Sequence, residues 1–262
     1  MEIKPKTVDN IVANAKAAKE VYDELLHNNS LDVDFSKCFH LRPTSSGITI
    51  VSTLPYAPMR GKTKVHKREL KNVLKDLDEK ICGKDTNKAA NVLHDVFEFK
   101  KRKTKKNISD KNAKSEEEVQ SDFIKGLLSR QSGFEGFEFV ASELMLNKEK
   151  RFDVVAIQGK VLYIFELKKN EDPDVISQVL GYVAQVEGKE NESAFRRVLR
   201  DYPNRSVDSF DEVKGVVVAK RADNEANEKL IEATKENDVE LWLWYYESVL
   251  HIDKVKKGEK VS

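Results

Sequence analysis

The chain has 262 residues, of which 39% are hydrophobic and 35% charged, and its formal net charge is +1. These values are typical of a globular protein with one large domain or two smaller ones. No apolar run reaches the roughly 18–20 residues that a membrane helix needs, and the first residues lack a signal-peptide core. Cys38 and Cys82 form no Cys-x-x-Cys pattern, which favours reduced thiols. We therefore expect a cytoplasmic protein without a membrane partner.

The first half of the chain predicts a small α+β domain. Apolar residues recur at helical spacing over 7–27, and short strands are predicted near 36–41 and 48–53. The segment Ser45-Ser46-Gly47 between these strands is typical of a turn. Two further helices are predicted over about 66–81 and 87–99.

The charge is divided unevenly between the two halves of the chain. Residues 1–114 contain 24 Lys and Arg against 15 Asp and Glu, whereas residues 115–262 contain 22 against 30. Such asymmetry indicates two modules with different roles. The basic and polar segment at 100–114 buries too little apolar surface to fold, which predicts a linker. The predicted parts are a basic domain at 1–99, a linker at 100–114, a second domain at 115–250 and a polar tail at 251–262.

The second half predicts helices and strands in the order αβββαβαβ. A capping-box pattern opens the first helix at Ser115, and Gln158-Gly159-Lys160 is typical of a tight turn. This order predicts a mixed sheet with helices on its faces. The charged segment 187–210 carries no predicted element, and Trp242 and Trp244 are predicted to pack in the core. The predicted helices cover 115–130, 174–186 and 224–236, and the strands cover 137–145, 151–157, 161–167, 215–219 and 239–244.

Three charged side chains fall on the predicted hairpin of the second and third of these strands. Asp153 lies in one strand, and Glu166 and Lys168 end the other. Residues two apart in a strand share a face, so Glu166 and Lys168 point the same way and Asp153 can converge with them. Burying such charges is costly unless they pair or bind a metal. The alternative is a surface hairpin with a weak Glu–Lys ion pair.

Two carboxylates beside an ammonium group suit metal-assisted hydrolysis of a phosphodiester. Mg²⁺ binds carboxylate oxygens and retains several waters. A bound metal lowers the pKa of an attacking water and neutralises charge on the phosphate, and a lysine can orient that water. We therefore predict a site for Mg²⁺ or Mn²⁺ at Asp153 and Glu166, with Lys168 as the catalytic lysine.

Twelve residues separate Asp153 from Glu166-Leu167-Lys168. This spacing, within this order of elements, resembles the motif of the PD-(D/E)XK nuclease superfamily. Phe152 stands where the motif has Pro. The resemblance implies a restriction-endonuclease-like core and cleavage of DNA. Gln178 and Tyr182, one helical turn apart, are similar to a Gln-x-x-x-Tyr element that supports the metal site and contacts the substrate in some branches. The domain looks like those of NucS-type endonucleases and Shedu-type defence nucleases, which implies DNA repair or defence against foreign DNA.

In this superfamily a glutamate on the preceding helix often completes the metal site. Glu116, Glu117 and Glu118 are all candidates. At 100° per residue, Glu116 lies closest to the centre of the buried stripe of the helix. We therefore predict Glu116 as the third metal ligand, with Glu117 or Glu118 as the alternatives.

Basic residues around this set are predicted to contact nucleic-acid phosphates. Arg151 precedes the strand of Asp153, and Lys220 and Arg221 follow the fourth strand. The other predicted contacts lie in the basic run, at Lys100, Lys101, Arg102 and Lys103. The alternatives are a solvated turn for Lys220 and Arg221, and a solvated linker or a localisation signal for the basic run.

These patterns together predict a divalent-metal-dependent endonuclease that hydrolyses DNA. The alternatives are a nucleic-acid-binding module with an inactive nuclease fold, and a nuclease that acts on RNA. The basic first half is expected to bind the substrate or to mediate dimerisation. We expect a homo-oligomer, a dimer or larger, which in a bacterium would associate with the nucleoid.

Overall fold

The computed structural model describes residues 4–27, 39–52, 56–57, 100–101, 116–146, 151–168, 174–221, 224–246 and 250–255. Contacts divide the chain into two compact units. One contains residues 1–3, 114–196 and 207–262, and the other contains residues 4–113 and 197–206. None of the helices in the described ranges is both long enough and apolar enough to cross a membrane.

The unit at the start of the chain combines one helix with short paired strands. Helix α1 spans Pro5–His27 and packs against a hairpin of β1 (Phe39–Thr44) and β2 (Gly47–Ser52). Strand β3 (Tyr56–Ala57) pairs antiparallel with β4 (Lys100–Lys101). The buried residues of α1 recur every three or four positions, as expected for one apolar face of a helix. They are Val8, Ile11, Val12, Ala15 and Ala18.

The structure corrects the predicted hairpin at its first strand. The turn is confirmed, but β1 continues to Thr44 instead of ending at Leu41. Leu41 exchanges two hydrogen bonds with the side chain of Asn204, at 2.9 and 2.8 Å, so its N–H and C=O point away from β2. Pro43, two residues later, points its nitrogen the same way, so its missing N–H costs the β1–β2 ladder nothing.

Lys100 and Lys101, the first two residues of the predicted linker, form β4. The rest of the linker lies outside the described residues. The helices predicted over about 66–81 and 87–99 lie outside them as well.

The other unit is built on a mixed six-stranded sheet with strand order β10-β9-β8-β7-β6-β5. Strand β8 is parallel to β7 and to β9, and the other neighbours are antiparallel. The prediction of an α/β fold with a mixed sheet is confirmed. From residue 116 onwards, the elements of the chain are α2 (Glu116–Ser129), β5 (Glu138–Met145), β6 (Arg151–Gln158), β7 (Val161–Lys168), α3 (Asp174–Glu187), α4 (Lys189–Arg200), β8 (Glu212–Lys220), α5 (Asn224–Glu236), β9 (Glu240–Tyr246) and β10 (Leu250–Val255).

Helices cover both faces of this sheet. Alternate residues of β8 belong to two separate cores, because successive side chains of a strand point to opposite faces. On one face, α2 contributes the stripe predicted from the sequence, Val119, Phe123 and Leu127. On the other face, α3 approaches β8 so closely that a side chain at Gly215 would collide with Val179.

Two elements after residue 186 are absent from the predictions. The segment predicted to be irregular at 187–210 contains α4, in which Phe195, Val198 and Leu199 are buried at helical spacing. The predicted tail at 251–262 contains most of β10, which pairs with β9. The other predicted boundaries in this unit lie within three residues of the observed ones.

Candidate active site

The site begins where β6 and β7 separate. Their ladder runs from the Gln158–Val161 pair to the Val154–Phe165 pair. Beyond this pair, Asp153 accepts a hydrogen bond from the Leu167 N–H through its carboxylate Oδ2, at 3.0 Å. The Asp153 carboxylate therefore replaces a main-chain acceptor at the fork between the two strands, which fixes its position.

Glu166 lies on the next strand and is held through one oxygen. Lys168 Nζ lies 2.9 Å from Glu166 Oε1. Gln178 on α3 donates from Nε2 to the same oxygen at 2.7 Å, and also to Tyr182 Oη at 2.5 Å. The ring of Tyr182 packs on Phe152, with 4.9 Å between ring centroids. The five predicted catalytic residues (Asp153, Glu166, Lys168, Gln178 and Tyr182) thus come together in one cluster.

Both carboxylates of the cluster are buried, and the structure raises the pKa of each. Asp153 is 8% exposed and Glu166 is 3% exposed. Burial, reinforced by the nearby charge of Asp153, raises the pKa of Glu166 to about 7. Burial also raises the pKa of Asp153, although the hydrogen bond from Leu167 and the charge of Arg151 oppose the shift. The burial of both carboxylates beside Lys168 therefore disfavours their full ionisation.

The second oxygen of Glu166 is the least satisfied atom of the cluster. Glu166 Oε2 is buried and has no hydrogen-bond partner among the described residues. Burying a carboxylate oxygen without a hydrogen-bond partner costs free energy, because the oxygen loses its hydrogen bonds to water. This oxygen is therefore available to a ligand that binds at the cluster.

Lys168 and Tyr182 keep their protons at neutral pH. Burial lowers the pKa of Lys168, but the hydrogen bond and charge of Glu166 outweigh it, so the net shift is upwards. Burial raises the pKa of the Tyr182 phenol. The cluster thus presents an ammonium group and a phenol O–H beside the two carboxylates.

Of the predicted helix glutamates, Glu116 acts on the cluster through its charge. Its negative charge raises the pKa of Asp153, of Glu166 and of Lys168, so it lies near all three. It is exposed, at the first turn of α2. Glu118 is half-buried, and the side chain of Glu117 is outside the described set.

The predicted nucleic-acid contacts fall into two groups. Arg151 is exposed, lies 3.4 Å from Glu143 Oε1 and lowers the pKa of Asp153. Lys220 is exposed at the end of β8. The Arg221 guanidinium pairs with Asp253 at 2.8 Å, so part of its charge is already neutralised. Of the basic run, Lys100 and Lys101 belong to β4 in the other unit, and Arg102 and Lys103 lie outside the described residues.

Three residues of the site region are missing from the sequence predictions. Gln120 on α2 donates to the Asp153 carbonyl at 3.1 Å. Trp244 is buried in the core as predicted, but its indole N–H also donates to the Lys168 carbonyl at 3.2 Å. Glu143 has φ +45° and lies between the ladder pairs Ser142–Val154 and Leu144–Phe152, opposite Asp153. Helical spacing could have indicated Gln120, whereas the other two depend on strand pairing.

The acidic side chains of the cluster meet some of the requirements of a site for a hard divalent cation. No group of three or more His, Cys, Asp or Glu side chains stands ready to hold a metal ion within the part of the chain that the structure describes. Asp153 and Glu166 nevertheless offer two buried carboxylates, one with a partnerless oxygen, and Glu116 is nearby. Mg²⁺ is commonly held by one or two carboxylates and completes its shell with water and substrate oxygens.

Comparison of the chain with protein families, with curated proteins and with solved structures found no match.

Proposed function

We propose that this protein is a divalent-metal-dependent endonuclease that hydrolyses phosphodiester bonds of DNA. The observation that carries the proposal is the buried pair of Asp153 and Glu166. One oxygen of Glu166 has no hydrogen-bond partner among the described residues, and Lys168 contacts the other oxygen. Such a pair raises the free energy of the folded protein unless it serves a ligand. A divalent cation is the ligand whose charge and oxygen preference match it.

The residues of the cluster have distinct roles in this proposal. Asp153 and Glu166 hold Mg²⁺ or Mn²⁺, and Glu116 acts as a third acidic group. The bound metal lowers the pKa of a water and neutralises charge on the scissile phosphate. Lys168, protonated beside Glu166, orients the attacking water or stabilises negative charge on the phosphate.

Gln178 and Tyr182 position Glu166 in the proposed site. Gln178 uses one amide nitrogen to bond both Glu166 Oε1 and Tyr182 Oη. The buried Tyr182 ring fixes the far end of this chain of hydrogen bonds. Glu166 therefore keeps Oε1 engaged and directs Oε2 towards the ligand.

The superfamily, the nucleic-acid contacts and the cellular role belong to the same proposal. We place the cluster in a restriction-endonuclease-like core of the PD-(D/E)XK superfamily, on the pattern of Asp153 and Glu166-Leu167-Lys168. The basic residues of the first half would bind DNA or mediate a homo-oligomer, and Arg151, Lys220 and Arg221 would contact phosphates. The setting would be DNA repair or defence against foreign DNA, inside the cell.

The test uses the full chain with plasmid DNA, linear duplex, single-stranded DNA and RNA, each with Mg²⁺, Mn²⁺ or EDTA. We expect DNA cleavage that needs the metal and is lost in Asp153→Ala. Cleavage that Asp153→Ala retains would contradict the site. Binding of DNA without cleavage would indicate an inactive module, and cleavage confined to RNA would change the substrate.

A further inference from the structure

We propose that Trp244 is a positioning residue for Lys168, and that its indole N–H fixes the catalytic end of β7. This inference rests on the proposed function, because it assigns Trp244 to the same site. The observation is the 3.2 Å hydrogen bond from Trp244 Nε1 to the carbonyl of Lys168. Trp244 is 3% exposed and the bond is partly buried, so its loss costs free energy.

The ladder between β7 and β8 stops where this bond forms. The last pair in register is Lys168 with Ala219. At this last pair, the indole of Trp244 adds a side-chain donor to the Lys168 carbonyl. Removing that donor would weaken the support of the strand end, where the ladder supplies no further pairs.

Two side chains therefore support the backbone at the end of β7. The Asp153 carboxylate holds the Leu167 N–H at 3.0 Å, and the Trp244 indole holds the Lys168 carbonyl at 3.2 Å. The two bonds fix the backbone on either side of the Leu167–Lys168 peptide. Both hydrogen bonds therefore influence the direction in which the Lys168 side chain leaves the strand. That direction determines the 2.9 Å contact between Lys168 and Glu166.

Trp244 is itself held in place on its own strand. It pairs in register with Lys220 of β8 and with Ile252 of β10. The Arg221 N–H donates to the Trp244 carbonyl at 2.8 Å. A rigid support of this kind is what a positioning residue needs, since a loose donor would transmit its own motion to Lys168.

The chain offers a matched control for this tryptophan. Trp242 is buried two residues earlier on the same strand, and its indole N–H donates to Glu240 at 3.2 Å. Trp242→Phe and Trp244→Phe therefore remove the same indole N–H group from the same strand. Only the second removes it from the Lys168 carbonyl.

The first readout needs neither metal nor DNA. In metal-free full-length protein, mass spectrometry follows the acetylation of Lys168 by a small amine-reactive reagent. We expect Trp244→Phe to raise the Lys168 acetylation rate about tenfold, because one lost hydrogen bond weakens its pairing with Glu166. Trp242→Phe should leave that rate unchanged. An equal Lys168 rate in wild type and in folded Trp244→Phe would overturn the inference.

The second readout uses the active enzyme and separates binding from chemistry. We expect Trp244→Phe to lower kcat about tenfold with KM unchanged, because Lys168 is misplaced while the substrate contacts remain. Replacing Trp244 by benzothienylalanine, which keeps the shape and removes only the N–H, should reproduce the loss. If benzothienylalanine keeps full kcat, the effect of Phe is one of packing and the inference fails.

The two readouts distinguish the inference from the proposed function. A protein that cuts no DNA but shows the acetylation difference refutes the nuclease and keeps the Trp244–Lys168 link. A protein that cuts DNA with unchanged kcat and unchanged acetylation in folded Trp244→Phe keeps the nuclease and refutes the link.

Discussion

The two ends of the six-stranded sheet carry similar charges in different settings. At the site end, where β7 and β8 finish, Asp153 and Glu166 are buried beside Lys168. At the opposite end, where β9 begins, Glu240 is partly exposed and lies 3.5 Å from Lys214, which also lies 3.7 Å from Glu212. Acidic and basic groups occur at both ends, so composition does not separate them.

The two ends of the sheet differ in how deeply their charged groups are buried and in how those groups are paired. At the opposite end, Lys214 faces two acids that stay in water, and such rim pairs contribute about 1 kcal/mol or less. At the site end, burial raises the pKa of Glu166 to about 7, and its Oε2 lacks a partner. The site end thus carries a cost in stability that the opposite end avoids. In the proposed function, a bound metal ion offsets this cost.

The largest expected effect is on DNA cleavage when one buried acid loses its charge. Asp153→Asn should lower the initial cleavage rate about a thousandfold, because metal-based charge stabilisation is worth several kcal/mol. Glu240→Gln, the matched change at the opposite end, should leave the rate within about twofold. A similar loss in both variants would mean that the two ends do not differ in function.

The next effect concerns the pH dependence of stability without metal. The pKa of Glu166 is raised in the folded protein from 4.5 to about 7. The folded protein therefore holds this proton more tightly than the unfolded chain does. The stabilisation that the proton gives is full below pH 4.5 and is lost as the pH rises through about 7. The melting temperature of metal-free protein should fall over this window by more in wild type than in Glu166→Gln.

Divalent metal should reverse this loss above pH 7, because the cation binds the deprotonated carboxylates. The measurement is the melting temperature at pH 8 with and without Mg²⁺ or Mn²⁺, in wild type and in Glu166→Gln. We expect a metal-induced rise in wild type only. An equal rise in the variant would place the metal elsewhere, and Glu240→Gln should behave as wild type.

These contrasts also show what the sequence can and cannot predict. Spacing along the strands and helices predicts Asp153, Glu166 and Lys168 as a set, and the helical angle of Glu116 predicts an acid near them. Local spacing is informative here because residues two apart in a strand share a face and the helix has an apolar stripe. The partnerless oxygen and the raised pKa depend on burial, which the sequence reveals only indirectly.

The missed elements have a different physical cause. Helix α4 contains few apolar residues among many charges, so its buried positions at Phe195, Val198 and Leu199 give a weak pattern. Strand β10 is at the edge of the sheet and is partly exposed, so its polar residues give the appearance of a tail. Trp244 looks like any core residue, because its bond to Lys168 joins two strands distant in sequence.

An intermediate effect is expected when the hydrogen bonds to Glu166 are removed one at a time. Gln178→Leu deletes the 2.7 Å bond to Glu166 Oε1, and should lower kcat about tenfold, since one hydrogen bond to a charged group is lost. Tyr182→Phe removes only the more distant hydroxyl and should cost less. A Gln178→Leu enzyme with full kcat would exclude the positioning role of Gln178.

The smallest effect concerns two backbone positions with left-handed φ, one at each end of the sheet. Glu143 has φ +45° in mid-strand opposite Asp153, and Asp238 has φ +53° in the turn after α5. A β-branched side chain is strained in this region, so Glu143→Val should lower the free energy of unfolding by about 1–2 kcal/mol. Asp238→Gly and Glu143→Gly should stay within about 1 kcal/mol of wild type. Chemical denaturation measures all three, and a fully stable Glu143→Val would mean that β5 is regular beside Asp153.

The most direct test of the difference between the two ends is to locate a bound metal. Crystals of the full-length protein soaked in Mn²⁺ would be measured at the manganese absorption edge. We predict an anomalous peak in contact with the carboxylates of Asp153 and Glu166, absent from Asp153→Asn crystals. A peak at Glu212 or Glu240 instead, or none near Glu166 at saturating Mn²⁺, would contradict the assignment of the buried acids to a metal site.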